Sequence, residues 1–281
     1  MRALFLAALL GLLPSWGAAQ ERVLSIGGGV TEVVAALGEE GRLVGRDTTS
    51  TFPAAITALP DVGYMRALSP EGVLSVAPDL ILLTEGAGPP ETLETLRETG
   101  VKLVSVPEGH TPEAVLEKVR SVAGALGVAD KGEALATRLD AEMTAALTAV
   151  SRETGPKPRV LFILSNAGGR LTGAGAGTSA EAMIALAGGQ NALTGFDGYK
   201  ALGDEAIAAA APDVILMMAR TGDDAGGHGA ADIASHPALA ATPAGQAGRL
   251  VRMDGMLLLG FGPRTPEAIT ALHAALYPKA P

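Results

Sequence analysis

The chain has 281 residues, 48% of them apolar but only 3% aromatic, with no cysteine and a formal net charge of −9. That composition excludes a disulfide scaffold, and the acidic balance argues against nucleic acid as a partner. Its four histidines, His110, His228, His236 and His273, are scattered without the spacing of a zinc or manganese site.

Residues 1–19 carry a single positive charge at Arg2, an apolar run from Ala3 to Leu13 and a small-residue exit at Gly17-Ala18-Ala19. This is the pattern of a secretory signal peptide cut after Ala19. The run is shorter than the roughly 20 residues that span a bilayer. Loss of Arg2 would take the formal charge to −10. Later apolar stretches are all interrupted by charges, Gly or Pro, and the missing cysteine removes the attachment point of a lipoprotein. The expectation is an exported, monomeric periplasmic protein with neither membrane span nor lipid anchor.

Next come a short buried strand at 23–26, the triplet Gly27-Gly28-Gly29 and a helix at about 31–37. Further short strands are read at 80–83 and 103–106, each after a helix-like segment. Strands alternating with helices point to parallel sheets covered by helices. From 111 to about 152, Val115, Val119, Val122, Leu126, Leu135, Leu139, Met143 and Leu147 recur at largely helical spacing. The segment 124–132 bends or interrupts that helical bridge.

Beyond the bridge the chain nearly repeats itself. Arg22-Val23-Leu24-Ser25-Ile26 is echoed by Arg159-Val160-Leu161-Phe162-Ile163, and Ala77-Pro78-Asp79-Leu80-Ile81-Leu82 by Ala211-Pro212-Asp213-Val214-Ile215-Leu216. The second half reads as a strand at 160–164, a Gly-rich stretch at 168–177, a helix at 180–186 and a strand at 214–217. Glu32 and Glu181 occupy matching places in the two first helices. The expected organisation is a leader at 1–19, an α/β lobe at 20–110, a helical bridge at 111–154 and a second α/β lobe at 155–281. The fold class is therefore α/β: two Rossmann-like lobes with central parallel sheets, joined by a long bridging helix, with a ligand cleft between them.

The repeat also pairs Gly63-Tyr64-Met65-Arg66-Ala67-Leu68 with Gly198-Tyr199-Lys200-Ala201-Leu202. Each lobe offers a tyrosine and a base on the approach to a helix, and both pairs can face the cleft. A phenolate is a hard anionic donor suited to ferric iron and a known axial ligand of haem. A neighbouring guanidinium would favour the ionised phenol or pair with a carboxylate of the ligand. On these residues alone, tyrosines that pack or cap with a wet hydroxyl explain the pattern equally well. Neither a Gly-x-Ser-x-Gly elbow nor a P-loop signature is found.

On these motifs, together with residues 173–184 and Leu259-Gly260-Phe261-Gly262-Pro263-Arg264-Thr265, the chain resembles the haem-binding periplasmic proteins of bacterial haem-uptake ABC transporters. That group shares its two-lobed form with cobalamin and ferric-siderophore binding proteins. The resemblance spans 22–277. It implies Tyr64 as the iron ligand, Arg66 as its hydrogen-bonding or propionate partner, Tyr199 and Lys200 as second-lobe contacts, and haem as the transported ligand. It also implies that Glu71 and Glu205, one per lobe, dock onto the inner-membrane ABC permease. Where some members use a histidine for a second haem, this chain has Asn166, and an amide ligates iron poorly; one haem per chain is expected. Met65, Met217, Met218, Met253 and Met256 are candidates for contact with the porphyrin or for core packing. A ferric siderophore or cobalamin ligand is the nearest alternative, and a periplasmic α/β enzyme a more distant one.

Overall fold

The computed structural model describes residues 21–167, 170–219 and 236–278. The leader at 1–19 and His228 lie outside the described residues. In the first lobe β1 (Val23–Ile26), α1 (Gly28–Ala36), β2 (Leu43–Arg46), α2 (Pro70–Leu74), β3 (Leu80–Thr84), α3 (Pro90–Glu98) and β4 (Lys102–Val106) follow in order. The four strands form a wholly parallel sheet ordered β2-β1-β3-β4. Its two central strands are buried at every residue, which is why they read as continuous apolar runs rather than alternating ones.

The bridge comprises α4 (Pro112–Ala125) and α5 (Ala129–Ser151). The interruption expected near 124–132 is a turn at residues 126–128 with Gly127 at φ 72°. The helices pack on each other, α4 also on α1 and α5 also on the C-terminal helix. Val119 and Leu139 join one buried cluster running from Val23 and Val34 in the first lobe to Phe162, Leu216 and Ile269 in the second. At about 1.5–3 kcal/mol for each large apolar side chain fully buried, this shared core resists separation of the lobes.

The second lobe contains β5 (Arg159–Ala167), β6 (Arg170–Ala174), α6 (Ser179–Leu186), β7 (Gln190–Asn191), β8 (Tyr199–Ala201), α7 (Asp204–Ala210) and β9 (Val214–Ala219). Two short helices, α8 (Pro237–Ala240) and α9 (Pro243–Gln246), precede β10 (Leu250–Asp254), α10 (Gly255–Leu259) and α11 (Thr265–Leu276). Its sheet is ordered β10-β9-β5-β6-β8, with β7 beside β5. The parallel core β10-β9-β5 matches the expectation, but β6 and β8 add antiparallel pairings. Only two residues separate β5 from β6, a connection too short for a parallel crossover. The Gly-rich stretch thus contains a strand, β6, and Gly175 is small because the chain's own Phe196 carbonyl would lie 2.3 Å from any Cβ there.

The duplication is repeated in atomic detail. The Arg22 amide donates to Asp79 Oδ2 at 3.0 Å, and its guanidinium donates to the Val76 and Ala77 carbonyls at 2.7 and 2.8 Å. The Arg159 amide donates to Asp213 Oδ2 at 2.8 Å, and its guanidinium to the Ala210 carbonyl at 2.9 and 3.2 Å. Ala77 and Ala211, each before the Pro-Asp pair, sit at φ 44° and 37°. Each arginine satisfies backbone acceptors left over where a helix ends.

Candidate functional site

The carboxyl ends of parallel strands are where α/β sheets bind ligands, and here those ends of the two lobes meet. β1 runs into Gly27, at φ 104°, and then into α1. Across the boundary a Cβ on Gly28 would lie 2.4 Å from Met256 Cε, and one on Gly29 2.5 Å from the Gly260 carbonyl oxygen. The helix begins at Gly28 rather than 31 because the glycines admit the other lobe's backbone. Beneath it, buried Asp47 accepts from the Gly27 amide at 3.0 Å and the Ser50 hydroxyl at 2.6 Å.

Tyr64 stands on the segment leading into α2 and is 44% exposed. The segment is anchored on both sides: the Thr48 amide donates to the Gly63 carbonyl at 3.0 Å, and the Gly88 amide to Met65 at 2.9 Å. A tight turn closes between them through the Ala67 amide and the Tyr64 carbonyl at 2.8 Å. Ser69 then caps α2, accepting from the Gly72 amide at 3.1 Å, with Pro70 in the first turn. Arg66 Nη1 lies 3.5 Å from the Tyr64 hydroxyl. That is long beside the usual 2.9–3.0 Å, so the guanidinium lies next to the phenol without locking it. Met65 turns inward onto the outer core of the first lobe.

The second lobe departs from this pattern. Tyr199, 39% exposed, lies on β8 and its hydroxyl is 3.1 Å from Ser179 Oγ at the start of α6. Adjacent residues of a strand leave on opposite faces, and Lys200 Nζ lies 5.2 Å from the Phe196 ring centre, in cation–π range. Tyr199 and Lys200 therefore do not form a pair like Tyr64 and Arg66. The motif differs from its first-lobe counterpart because here it is strand, not turn. Asn166 is exposed on β5 opposite Leu171.

Glu71 and Glu205 are exposed in the first turns of α2 and α7, one on each lobe. Their symmetry stands, whereas that of Glu32 and Glu181 does not. Glu181 accepts from the Gly177 amide at 2.7 Å while Thr178 caps α6, a local capping role. Glu32 is buried and receives two hydrogen bonds from Arg264. Met217, Met218 and Met253 belong to the cores; Met256 is left at the lobe boundary. His273 packs internally, its Nδ1 3.0 Å from the Ala187 carbonyl, and His236 occupies the N-cap position of α8 without a side-chain hydrogen bond to it.

Sequence reasoning missed the burial of Glu32, Asp47 and Lys118. Lys118 has 0% exposure, and Nζ contacts Glu108 Oε1 at 2.9 Å and the Phe261 and Gly260 carbonyls at 3.0 and 3.2 Å. Glu32 sits within the apolar run Val30–Val34, and Lys118 between Val115 and Val119. A charge on an otherwise apolar helix face was the available signal. A concavity of about 350 Å³ opens nearby, lined by Glu32, Phe52, Pro53, Arg138, Glu142 and Arg264 among others, but by none of Tyr64, Arg66, Tyr199 or Lys200. No cluster of His, Asp and Glu among the described residues could hold a metal ion.

The family described as "Periplasmic binding protein" matches residues 23–257. The chain belongs to this family. Its relatives are substrate-binding proteins, so the cleft of this periplasmic binding protein is a binding site rather than a catalytic centre. The structure of "periplasmic heme-binding protein BhuT in complex with two hemes" is 46% identical, with a TM-score of 0.84 over 91% of this chain and 97% of that one. The "periplasmic heme-binding protein RhuT" of Roseiflexus sp. RS-1 is 40% identical, with a TM-score of 0.86 over 92% of this chain and 98% of that one. A Bacillus subtilis (strain 168) protein, "uncharacterized ABC transporter substrate-binding lipoprotein YvrC", is 23% identical over 92% of this chain and 80% of its own length. No helix among the described residues is long and apolar enough to cross a membrane.

Proposed function

We propose that this periplasmic binding protein captures haem as its transported ligand, ligates the ferric iron through Tyr64 and delivers it to an inner-membrane ABC permease. The observation that carries this reading is the exposed phenol of Tyr64, held on a doubly anchored turn with Arg66 beside it. Such a group offers iron a hard oxygen donor, while Arg66 is placed to stabilise the phenolate or a propionate. Similarity to heme-binding proteins over nine-tenths of the chain supports it.

In this reading Tyr199 is the second lobe's contact with the macrocycle, Asn166 a polar wall group that does not ligate iron, and Lys200 a cation at the rim for propionates. Glu71 and Glu205 dock the loaded protein onto the permease. The mature protein is a monomer, free in the periplasm after loss of residues 1–19.

Hemin titration followed by visible absorption, with Tyr64→Phe beside the native chain, tests the assignment. The expected result is a saturable phenolate-type ferric spectrum at one haem per chain, lost or strongly altered in the variant. Two haems per chain would reassign Asn166 or Tyr199. Tight binding with an unchanged spectrum in Tyr64→Phe would remove Tyr64 as ligand, and no saturable binding would overturn haem itself.

A further inference from the structure

Contacts from the first lobe and the bridge converge on the motif at residues 259–265. Lys118, from α4, directs its ammonium to the Gly260 and Phe261 carbonyls, and Glu108, at the carboxyl end of the first sheet, takes its third hydrogen bond. An ammonium has three donors and no acceptor, so Lys118 is fully satisfied by partners drawn from both sides of the boundary. The turn it holds contains Phe261, fully buried at φ 42°. A bulky residue keeps that backbone only when its surroundings impose it. Arg264, three residues on, clasps Glu32 of α1 and stacks 3.9 Å over the Phe52 ring of the first lobe. A Cβ on Gly262 would lie 3.2 Å from Glu32 Oε2.

We propose that residues 259–265 are an interlobe latch, and that Lys118 and Glu32 are positioning residues whose buried charges set the gape of the ligand cleft. Its effect on ligand retention rests on the haem reading; the effect on lobe spacing does not. The latch grips from two sides, Lys118 on the turn carbonyls and Glu32 on the guanidinium that follows. Between them Gly29 and Gly260 meet backbone to backbone. The latch thereby fixes where α10 and Met256 stand relative to α1, and with them the spacing of the walls that carry Tyr64 and Tyr199.

The absence of cysteine allows spin labels at Glu71→Cys and Glu205→Cys, exposed positions on opposite lobes, with their separation read by pulsed dipolar spectroscopy on the ligand-free protein. The latched chain should give one narrow distance distribution. Lys118→Met, which leaves the Gly260 and Phe261 carbonyls without the ammonium and Glu108 with the Thr84 hydroxyl as its side-chain partner, should broaden it and move it to longer distance. Gly29→Ala removes no charge and uses a better helix former, but drives a methyl to 2.5 Å from the Gly260 carbonyl; it should lengthen the distance too. With hemin bound, transfer to an excess of apomyoglobin should accelerate about tenfold in both variants, while the visible spectrum, set by Tyr64, stays native. An unchanged distance distribution in Gly29→Ala would overturn the latch whatever Lys118→Met does. If hemin fails to bind the native chain, the haem reading falls and the distances alone decide the latch.

Discussion

Arg264 grips Glu32 across the lobe boundary through two hydrogen bonds, Nε to Oε2 at 3.0 Å and Nη2 to Oε1 at 2.5 Å. The Glu32 side chain is only 4% exposed, and this burial raises its carboxyl above the usual range even though Arg264 pulls the other way. A raised carboxyl contributes stability that is complete below its unfolded value, near 4.3, and lost as pH climbs through the folded one. Glu32→Gln should therefore gain in stability relative to the native chain as pH rises from acid toward neutral, then hold a constant offset. Glu32→Ala should destabilise the chain at neutral pH, because it removes both hydrogen bonds from the guanidinium and leaves Asp254 Oδ1, 3.7 Å away, as its ion-pair partner. Urea unfolding across pH measures both.

His110 gives the opposite slope. Its ring lies 5.1 Å from Phe261, and burial holds its pKa below the usual histidine value, with Glu108 opposing and Lys118 reinforcing the shift. Stability should fall as pH drops from about 6.5 through the folded value, as the unfolded chain takes up the proton first. Melting temperatures of the native chain and His110→Gln should converge as pH falls through that window. Parallel curves would remove His110 as the cause.

The paired arginine clamps make a test of modularity. Arg22→Ala and Arg159→Ala each forfeit guanidinium bonds to carbonyls at helix ends, a loss of about 1 kcal/mol per bond. The Arg159 change should cost more, since its bonds are the less exposed. The clamps belong to different lobes, so the double variant should equal the sum of the singles within about 0.5 kcal/mol. A chemical-denaturation cycle reads this directly.

Charge reversal at Glu71 and Glu205 separates docking from binding. Both carboxylates are exposed near helix starts, where each contributes about 0.3–1 kcal/mol at most. The double Lys variant should keep the hemin spectrum and stoichiometry of the native chain but fail to stimulate transport by its permease in proteoliposomes. Transport at the native rate would dismiss the docking role.

Much of the architecture was legible because it is written in short-range pattern. The strands at 23–26 and 80–83 are continuous apolar runs between helix signals, and the repeated Ala-Pro-Asp stands at matching turns because both lobes solve the same helix-to-strand corner. Ser69-Pro70 and Thr111-Pro112 announce helix starts by cap chemistry that acts within three residues. Tyr64 and Arg66 could be nominated together because a turn brings neighbours in sequence side by side.

What the sequence by itself determined is thus the duplicated α/β plan, the helical bridge and the tyrosine loop of the first lobe, all set by interactions between residues near one another along the chain. Tertiary structure alone decided the rest. Tyr199 parted from Lys200 because β8 is an edge strand recruited by β6, and pairing of strands is not visible in either strand's own pattern. Glu32 met Arg264 across 232 positions, and Lys118 met Phe261 across 143. A buried charge reveals in sequence only that it needs a partner; which distant group supplies one is settled when the two lobes close over a common core.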